Sequence, residues 1–356
     1  MRSDPPAAST TLRLVVCIFL WYSSSAVCNT SARKVLTRLP LPLWLCVVQF
    51  ACAAALGHAY LEIARPQLRQ RSPPEAQRTL HLLALVYTVG FVFVNAGYVV
   101  VNVSLAETLR SAEPIFSVLF AKLWLKEEFI SSLTLLSLVP IVLGGAFSSG
   151  GDATFNVGGL FFVCMSNTAF ALRSIVTKRL KQVYAGFVAR ASVHGSVHGA
   201  NVRARRRDAI NVFYEVSLIG LNWLVLGTLA IEVLIALLLS EAQQDAYSLF
   251  PHLLAMRGED WRALIPLVLL NGLTYALYNQ MSFLVLSFVS VVSHAVANSV
   301  RRVVTIVASV WYFRNPVSAQ NAAGMTLAIA GVVLYSLSKS YDEARTKTVM
   351  SGSGRV

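Results

Sequence analysis

From residue 12 to residue 338 the chain passes through ten apolar runs, at 12–32, 43–64, 80–103, 104–125, 129–149, 157–180, 210–240, 261–286, 287–313 and 318–338, joined by mostly short polar connections. A helix of about 20 residues covers the roughly 30 Å hydrocarbon core of a bilayer, so each run is long enough to span it. In lipid no water satisfies backbone N–H and C=O groups, and a helix satisfies them within the segment itself. A chain that is 56% hydrophobic and 13% charged, with mean hydropathy +0.61, is too apolar for a soluble domain of this length. The expected fold class is an all-α polytopic membrane protein with ten transmembrane helices, whose natural surroundings are membrane lipid.

The formal net charge of +13 belongs to the connections. Arg65, Arg69, Arg71, Arg78, Lys126, Lys178, Arg179, Lys181, Arg190, Arg203, Arg205, Arg206, Arg207, Lys339, Arg345 and Lys347 fall on the side shared by both termini. The opposite side carries only Arg33, Lys34, Arg38, Arg257, Arg262 and Arg314. The positive-inside rule accounts for this bias, places both termini in the cytosol and removes the need for a nucleic-acid partner. Only about eleven residues precede the first run, too few for an appended transit peptide. That favours the Golgi or another endomembrane, with a plastid envelope or the outer membrane of a complex plastid as the alternatives.

All five cysteines (Cys17, Cys28, Cys46, Cys52, Cys164) lie within apolar runs without ligand-like clustering, so neither a disulfide framework nor a metal site is expected. The acceptor patterns at Asn29 and Asn102 lie within or against the runs, where glycosylation could not reach them. His194 and His198, in the duplicated Ser-Val-His-Gly of the basic loop at 181–209, allow metal binding, but a Gly-rich linker is the commoner reading. No cofactor is expected.

A shift of about 187 residues brings Trp124 onto Trp311, Ser131 onto Ser318, Gly144 onto Gly331 and Glu107 onto His294. The Gly-rich turn at Gly150, Gly151 and Asp152 divides the runs five and five. An odd number of spans per half makes a duplication insert in opposite orientations, which predicts inverted repeats with a shared site near mid-membrane. The halves are 1–150 and 151–340, followed by a short polar cytosolic tail at 341–356.

Two adjacent arginines, Arg301 and Arg302, stand near the middle of the ninth run. A cation there costs about 2.5–3.5 kcal/mol on insertion scales, so it must face protein, water or a ligand. His294, Asn298 and Arg301 share one helical stripe, with Arg302 about 100° round. In the fourth run Glu107, Arg110 and Glu113 recur every three residues ahead of Pro114; in the sixth, Ser166, Ala169, Arg173 and Thr177 share a side. The eighth offers Asn271, Thr274 or Tyr275, and Tyr278. Glu107, Glu113, Glu215 and Glu232 are available to neutralise some of these cations, and an ion-pair ladder within the fourth helix is one reading of its triad. The other is a phosphate site, because the planar guanidinium fork matches phosphate oxygens in a dry cavity.

These residues resemble the triose-phosphate and sugar-phosphate translocators of plastids and their nucleotide-sugar-transporter relatives, within the drug/metabolite transporter superfamily. The likeness rests on Trp21-Tyr22 with Asn29 and Lys34, the stretch from Ala112 to Val118, the stretch from Leu138 to Gly145, Ser166-Asn167 with Phe170 to Arg173, Leu277-Tyr278-Asn279-Gln280, and above all 293–304. The resemblance implies ten helices in inverted halves and a central site. It implies that Arg301 and Arg302, at the positions of a Lys-Arg pair, bind phosphate together with Arg110, at the position of a further lysine, while Arg173 and Tyr278 hold the rest of the solute. It also implies obligatory exchange. Arg110 and Arg301 depart from lysine, Val94 from a threonine contact and Glu107 from histidine.

The function expected is a secondary antiporter that exchanges a phosphorylated organic solute, such as a sugar phosphate or triose phosphate, for inorganic phosphate by alternating access. Its expected partners are that small phosphorylated organic anion and a phosphate or nucleotide counter-substrate, and Arg301, Arg302, Arg110, Arg173, Tyr278, His294, Asn298 and Glu107 line the substrate site. The alternatives are a nucleotide-sugar/nucleotide monophosphate antiporter of the Golgi or ER and a non-transporting receptor or scaffold. With no nucleophile–base pair, metal cluster or phosphate loop, an enzyme is not expected.

Overall fold

A computed structural model describes residues 7–69, 71–120, 122–123, 131–193, 201–238, 248–249, 251–252, 256–289 and 291–352. Among these residues there are helices and connections but no strand. The α-helices are α1 (Ala7–Arg38), α2 (Pro42–His58, continued by a π-helical turn at Ala59–Ala64), α3 (Gln77–Val100), α4 (Val103–Arg110), α5 (Glu113–Phe120), α6 (Ser132–Leu136) and α7 (Val139–Gly150). They continue with α8 (Val157–Val193), α9 (Asn201–Leu238), α10 (Gly258–Phe288), α11 (Val291–Phe313) and α12 (Ala319–Gly352).

Seven stretches of the described residues are long and apolar enough to cross a membrane: Thr11–Arg38, Pro42–Ala64, Pro74–Val100, Ser132–Gly150, Val157–Gly186, Ile210–Leu238 and Ala319–Asp342. The runs that do not qualify among the described residues are the fourth, eighth and ninth, each interrupted by a break or by polar residues. The fourth is broken into α4 and α5, α10 interrupts its apolar surface with Asn271, Asn279 and Gln280, and α11 carries His294, Arg301 and Arg302.

The break in the fourth run follows from Pro114. Proline has no N–H to offer the Arg110 carbonyl, and its ring crowds the preceding turn. The chain turns at Ser111 and Ala112, with Ala112 N donating to Leu109 O at 3.1 Å. Asn167 of α8 donates its side-chain amide to the same carbonyl at 3.1 Å, a second hydrogen bond that ties the break to α8.

The helices pair as α1 with α10, α3 with α8, α2 with α9, α7 with α12 and α4 with α11. Lipid removes most of the hydrophobic drive for helix association, so close packing and interhelical hydrogen bonds must hold the bundle. At the α7–α12 crossing a Cβ on Gly144 would lie 2.3 Å from Ala328 N, and one on Gly324 2.2 Å from Ser148 N. Only glycine permits that approach. Elsewhere a buried polar relay runs from Asn95 of α3 to Gln49 of α2 (3.0 Å), from Gln49 to Asn271 of α10 (2.9 Å), and from Asn271 to the Cys28 carbonyl of α1 (2.8 Å). The core around it is aromatic, with Phe91 against Tyr275 at 4.9 Å and against Phe170 at 5.3 Å.

Four expectations are corrected. The basic loop at 181–209 is helical where described, because α8 continues to Val193 and α9 begins at Asn201. Residues 181–193 contain no proline, and a polar helix can run on past the apolar core. The tail at 341–356 is likewise the end of α12 as far as Gly352, and Asp342 within it accepts a 2.8 Å hydrogen bond from Thr134 of α6. Glu215 and Glu232 face away from the arginines of the fourth and ninth runs: Glu215 meets Arg69 at 3.1 Å, and Glu232 accepts from Trp44 at 2.8 Å. Glu113 does not continue a ladder with Arg110, because the break re-aims it. Trp124, Lys126, His194 and His198 lie outside the described residues.

Candidate substrate-binding site

The short α4 carries Glu107 and Arg110 one turn apart, both buried, and Glu107 has no exposed surface at all. Arg110 Nη1 donates to Glu107 Oε1. The tight connection at Val101 and Asn102 turns α3 back along α4, so that the Tyr98 hydroxyl donates to the same oxygen at 2.8 Å.

From the other half of the chain α11 brings Arg301 and Arg302. Arg301 Nη2 lies 3.9 Å and Arg302 Nη1 3.8 Å from Glu107 Oε2, within ion-pair range and beyond hydrogen-bond length. Arg302 Nη2 donates to Glu113 Oε2 at 2.9 Å, and the helix break allows this by starting α5 at Glu113. Arg301 Nε donates to Asn298 Oδ1 at 2.9 Å and its Nη1 to Ser25 Oγ on α1. Its guanidinium lies 6.0 Å from the centre of the Tyr278 ring. Arg110 and Arg173 share a second aromatic surface, at 5.3 and 4.8 Å from the Phe170 ring, and Arg173 also lies 5.6 Å from Tyr87.

Seven of the eight residues expected at the site therefore form one neighbourhood: Glu107, Arg110, Arg301 and Arg302 as an ionic cluster, Asn298 and Tyr278 attached through Arg301, and Arg173 through the Phe170 ring it shares with Arg110. His294 is held by other partners. It stacks on Trp21 with ring centres 4.9 Å apart and an interplanar angle of 17°, and its Nε2 is 3.3 Å from Ser282 Oγ. The sequence shift matches it to Glu107, but the contacts of Glu107 are the arginines and Tyr98.

Tyr98, Ser25, Phe170 and Tyr87 were not singled out as site residues in the sequence. For Tyr98 the signal was available in the abutting runs 80–103 and 104–125, which leave room only for a tight turn and so bring the end of one beside the start of the next. A lone serine or aromatic in an apolar run carries no comparable signal.

Four guanidinium groups and two carboxylates meet here, which leaves two formal positive charges. Among the described residues, Arg110 Nε and Arg302 Nη1 are buried donors without a hydrogen-bond acceptor, and Glu107 Oε2 is a buried acceptor without a donor. An unsatisfied buried charged group is expensive, and an oxyanion supplying acceptors to the free N–H groups would relieve that cost. Among the described residues no group of His, Cys, Asp and Glu could hold a metal ion.

A bundle of membrane-length helices enclosing a cationic cluster built from both ends of the chain defines a polytopic membrane protein with a buried, net-positive core. The chain belongs to the Triose-phosphate Transporter family, whose model matches residues 12–336. It is 31% identical over 326 residues to the chloroplastic phosphoenolpyruvate/phosphate translocator 1 of rice (Oryza sativa subsp. japonica), covering 92% of this chain and 72% of that one. It is 28% identical to the chloroplastic xylulose 5-phosphate/phosphate translocator of Arabidopsis thaliana, over 92% of this chain and 70% of that one. It is 30% identical to the chloroplastic glucose-6-phosphate/phosphate translocator 1 of Arabidopsis thaliana, over 93% and 76%. The chain is a transporter and not an enzyme. None of these three relatives is named for a nucleotide sugar or for the Golgi, so neither of those expectations gains support.

Proposed function

We propose that this chain is a secondary carrier exchanging a phosphorylated organic anion, such as a sugar phosphate or triose phosphate, for inorganic phosphate across an intracellular membrane. The observation that carries the reading is the convergence of Arg110, Arg301 and Arg302 around one buried point with guanidinium N–H groups left over. Arg301, Arg302 and Arg110 take the phosphoryl oxygens, while Arg173, Tyr278 and His294 meet the organic part. The relatives' names, each pairing an organic phosphate with phosphate, support the exchange, and their chloroplastic location favours a plastid envelope membrane.

The carrier has ten spans in two inverted halves, 1–150 and 151–340, with both termini in the cytosol. The pairing of helices supports that symmetry. With α4–α5 and α6–α7 each taken as one span, α1–α10 mirrors α8–α3, while α2–α9, α4–α11 and α7–α12 join each span to its own counterpart. The glycine contacts support it too: Gly144 meets Ala328 and Gly331 meets Ile141, two contacts that exchange under the 187-residue shift. A dianion bound between the halves cancels the excess positive charge and lets them rock about the site.

Replacing Arg302 with alanine in protein reconstituted into phosphate-loaded liposomes should reduce uptake of an organic phosphate at least about tenfold, the value of a charge-assisted hydrogen bond. Uptake at the unsubstituted rate would overturn the assignment.

A further inference from the structure

Among the described residues, Glu107 is the one carboxylate that all three clustered arginines approach. It is fully buried, Arg110 and Tyr98 hold its Oε1, and Oε2 points to Arg301 Nη2 at 3.9 Å and Arg302 Nη1 at 3.8 Å without a hydrogen bond to either. Glu113 balances Arg302 from the side through Nη2. The Nη1 of Arg302 and the Nε of Arg110 remain open. One oxygen of Glu107 is thus anchored, and the other stands among donors where a phosphoryl oxygen would sit.

We propose that Glu107 is an internal surrogate for the substrate's phosphoryl group. It partly neutralises Arg110, Arg301 and Arg302 while the site is empty, and it yields the two α11 arginines to the incoming anion. The inference rests on the phosphate reading of this site. Two consequences follow from charge alone. Glu107 competes with the ligand, so it lowers affinity. It also reduces the uncompensated charge of the unloaded protein, so it permits some return of the empty carrier and hence net uptake besides exchange. Glutamine keeps the shape of the side chain and its acceptor for Tyr98 and Arg110 but removes the charge.

The test measures binding of inorganic phosphate to the purified full-length carrier, and compares uptake into empty liposomes with uptake into phosphate-loaded ones, for the unsubstituted protein, Glu107→Gln and Arg302→Ala. Glu107→Gln should bind phosphate about tenfold more tightly, a modest share of the Coulomb term for a unit charge at about 4 Å. Its ratio of net uptake to exchange should fall. Equal or weaker binding, or an unchanged ratio, overturns the proposal. If Glu107→Gln is poorly folded when extracted, saturating phosphate should restore it by supplying the negative charge that glutamine lacks, and failure of that rescue also overturns the proposal. Glu107→Asp, which draws the carboxylate back by one methylene, should bind phosphate more tightly than the unsubstituted protein. Arg302→Ala separates the two readings. Phosphate binding that depends on Arg302 but does not tighten in Glu107→Gln removes only the role of Glu107, whereas binding indifferent to Arg302 removes the phosphate site.

Discussion

Arg302 and Arg173 show how differently two arginines at membrane depth can be held. Arg302 donates to Glu113 and faces Glu107, so its loss leaves two carboxylates short of a partner. Arg173 has only the rings of Phe170 and Tyr87 and no carboxylate within ion-pair distance among the described residues. Breaking one side of a buried ion pair costs about 3–5 kcal/mol, while losing a cation–π contact costs about 0.5–2 kcal/mol. Arg302→Ala should therefore lower the thermal unfolding temperature in detergent as well as abolish transport. Arg173→Met should unfold close to the unsubstituted protein while losing affinity for organic phosphates, and a larger destabilisation than that of Arg302→Ala would refute the contrast. The arginines were legible in the sequence because their presence in apolar runs demands an explanation. Their carboxylate partners were half legible: Glu107 pairs at the spacing expected, but Glu113 reaches Arg302 only because Pro114 breaks the helix between them. Ser25, which accepts from Arg301, was not legible, since a hydroxyl in a membrane helix can satisfy itself on its own backbone.

At the scale of the helices, the packing of α7 on α12 depends on glycines whose absent side chains meet backbone. A Cβ at Gly324 would stand 2.2 Å from Ser148 N, and backbone cannot give way as a flexible side chain can. Gly227 in α9 has nothing within 4 Å of the same position among the described residues. Gly324→Val should thus destabilise the protein by about 3 kcal/mol or more through overpacking. Gly227→Ala should be neutral or stabilising by about 0.5–1 kcal/mol, because alanine loses less chain entropy in a helix. Thermal unfolding of the two variants checks both, and similar effects would mean that the crossing is not close-packed. Gly144 and Gly331 were legible as repeat-related positions, but Gly324 was not, because a notch requires knowing what lies opposite. The helical course of 181–193 was hidden for another reason: charged residues mark the end of the apolar core, which is not the end of a helix.

Across the whole molecule, the alternating access proposed above requires contacts between the two proposed halves that break at one face while holding at the other. At the face where α2 joins α3, Arg69 bridges Glu62 at 2.7 Å and both Glu215 and Asn211 of α9 at 3.1 Å, and its guanidinium lies 4.9 Å from the Tyr214 ring. Ser72 adds its hydroxyl to Glu215 and shares a 2.5 Å contact with Tyr184 of α8. At the opposite face, where α1 ends near the end of α11, Lys34 donates to Tyr312 at 2.8 Å in an exposed position. The ties differ in charge: Arg69 meets carboxylates, whereas Lys34 meets a neutral hydroxyl. None of this was legible in the sequence, where Arg69 read as one topology-setting charge among many and Glu215 as a neutraliser of the central arginines. If Glu215 holds that face shut, Glu215→Gln weakens the closed state by about 1 kcal/mol, enough to shift the balance of inward- and outward-open states about fivefold. Apparent affinity for the transported phosphate should then rise when measured from the Arg69 face and fall when measured from the other, in vesicles of opposite orientation. A change of the same sign at both faces would show that Glu215 acts on the site and not on the equilibrium between states. Opposite changes would tie the asymmetry of these contacts to the direction in which the resting carrier is closed.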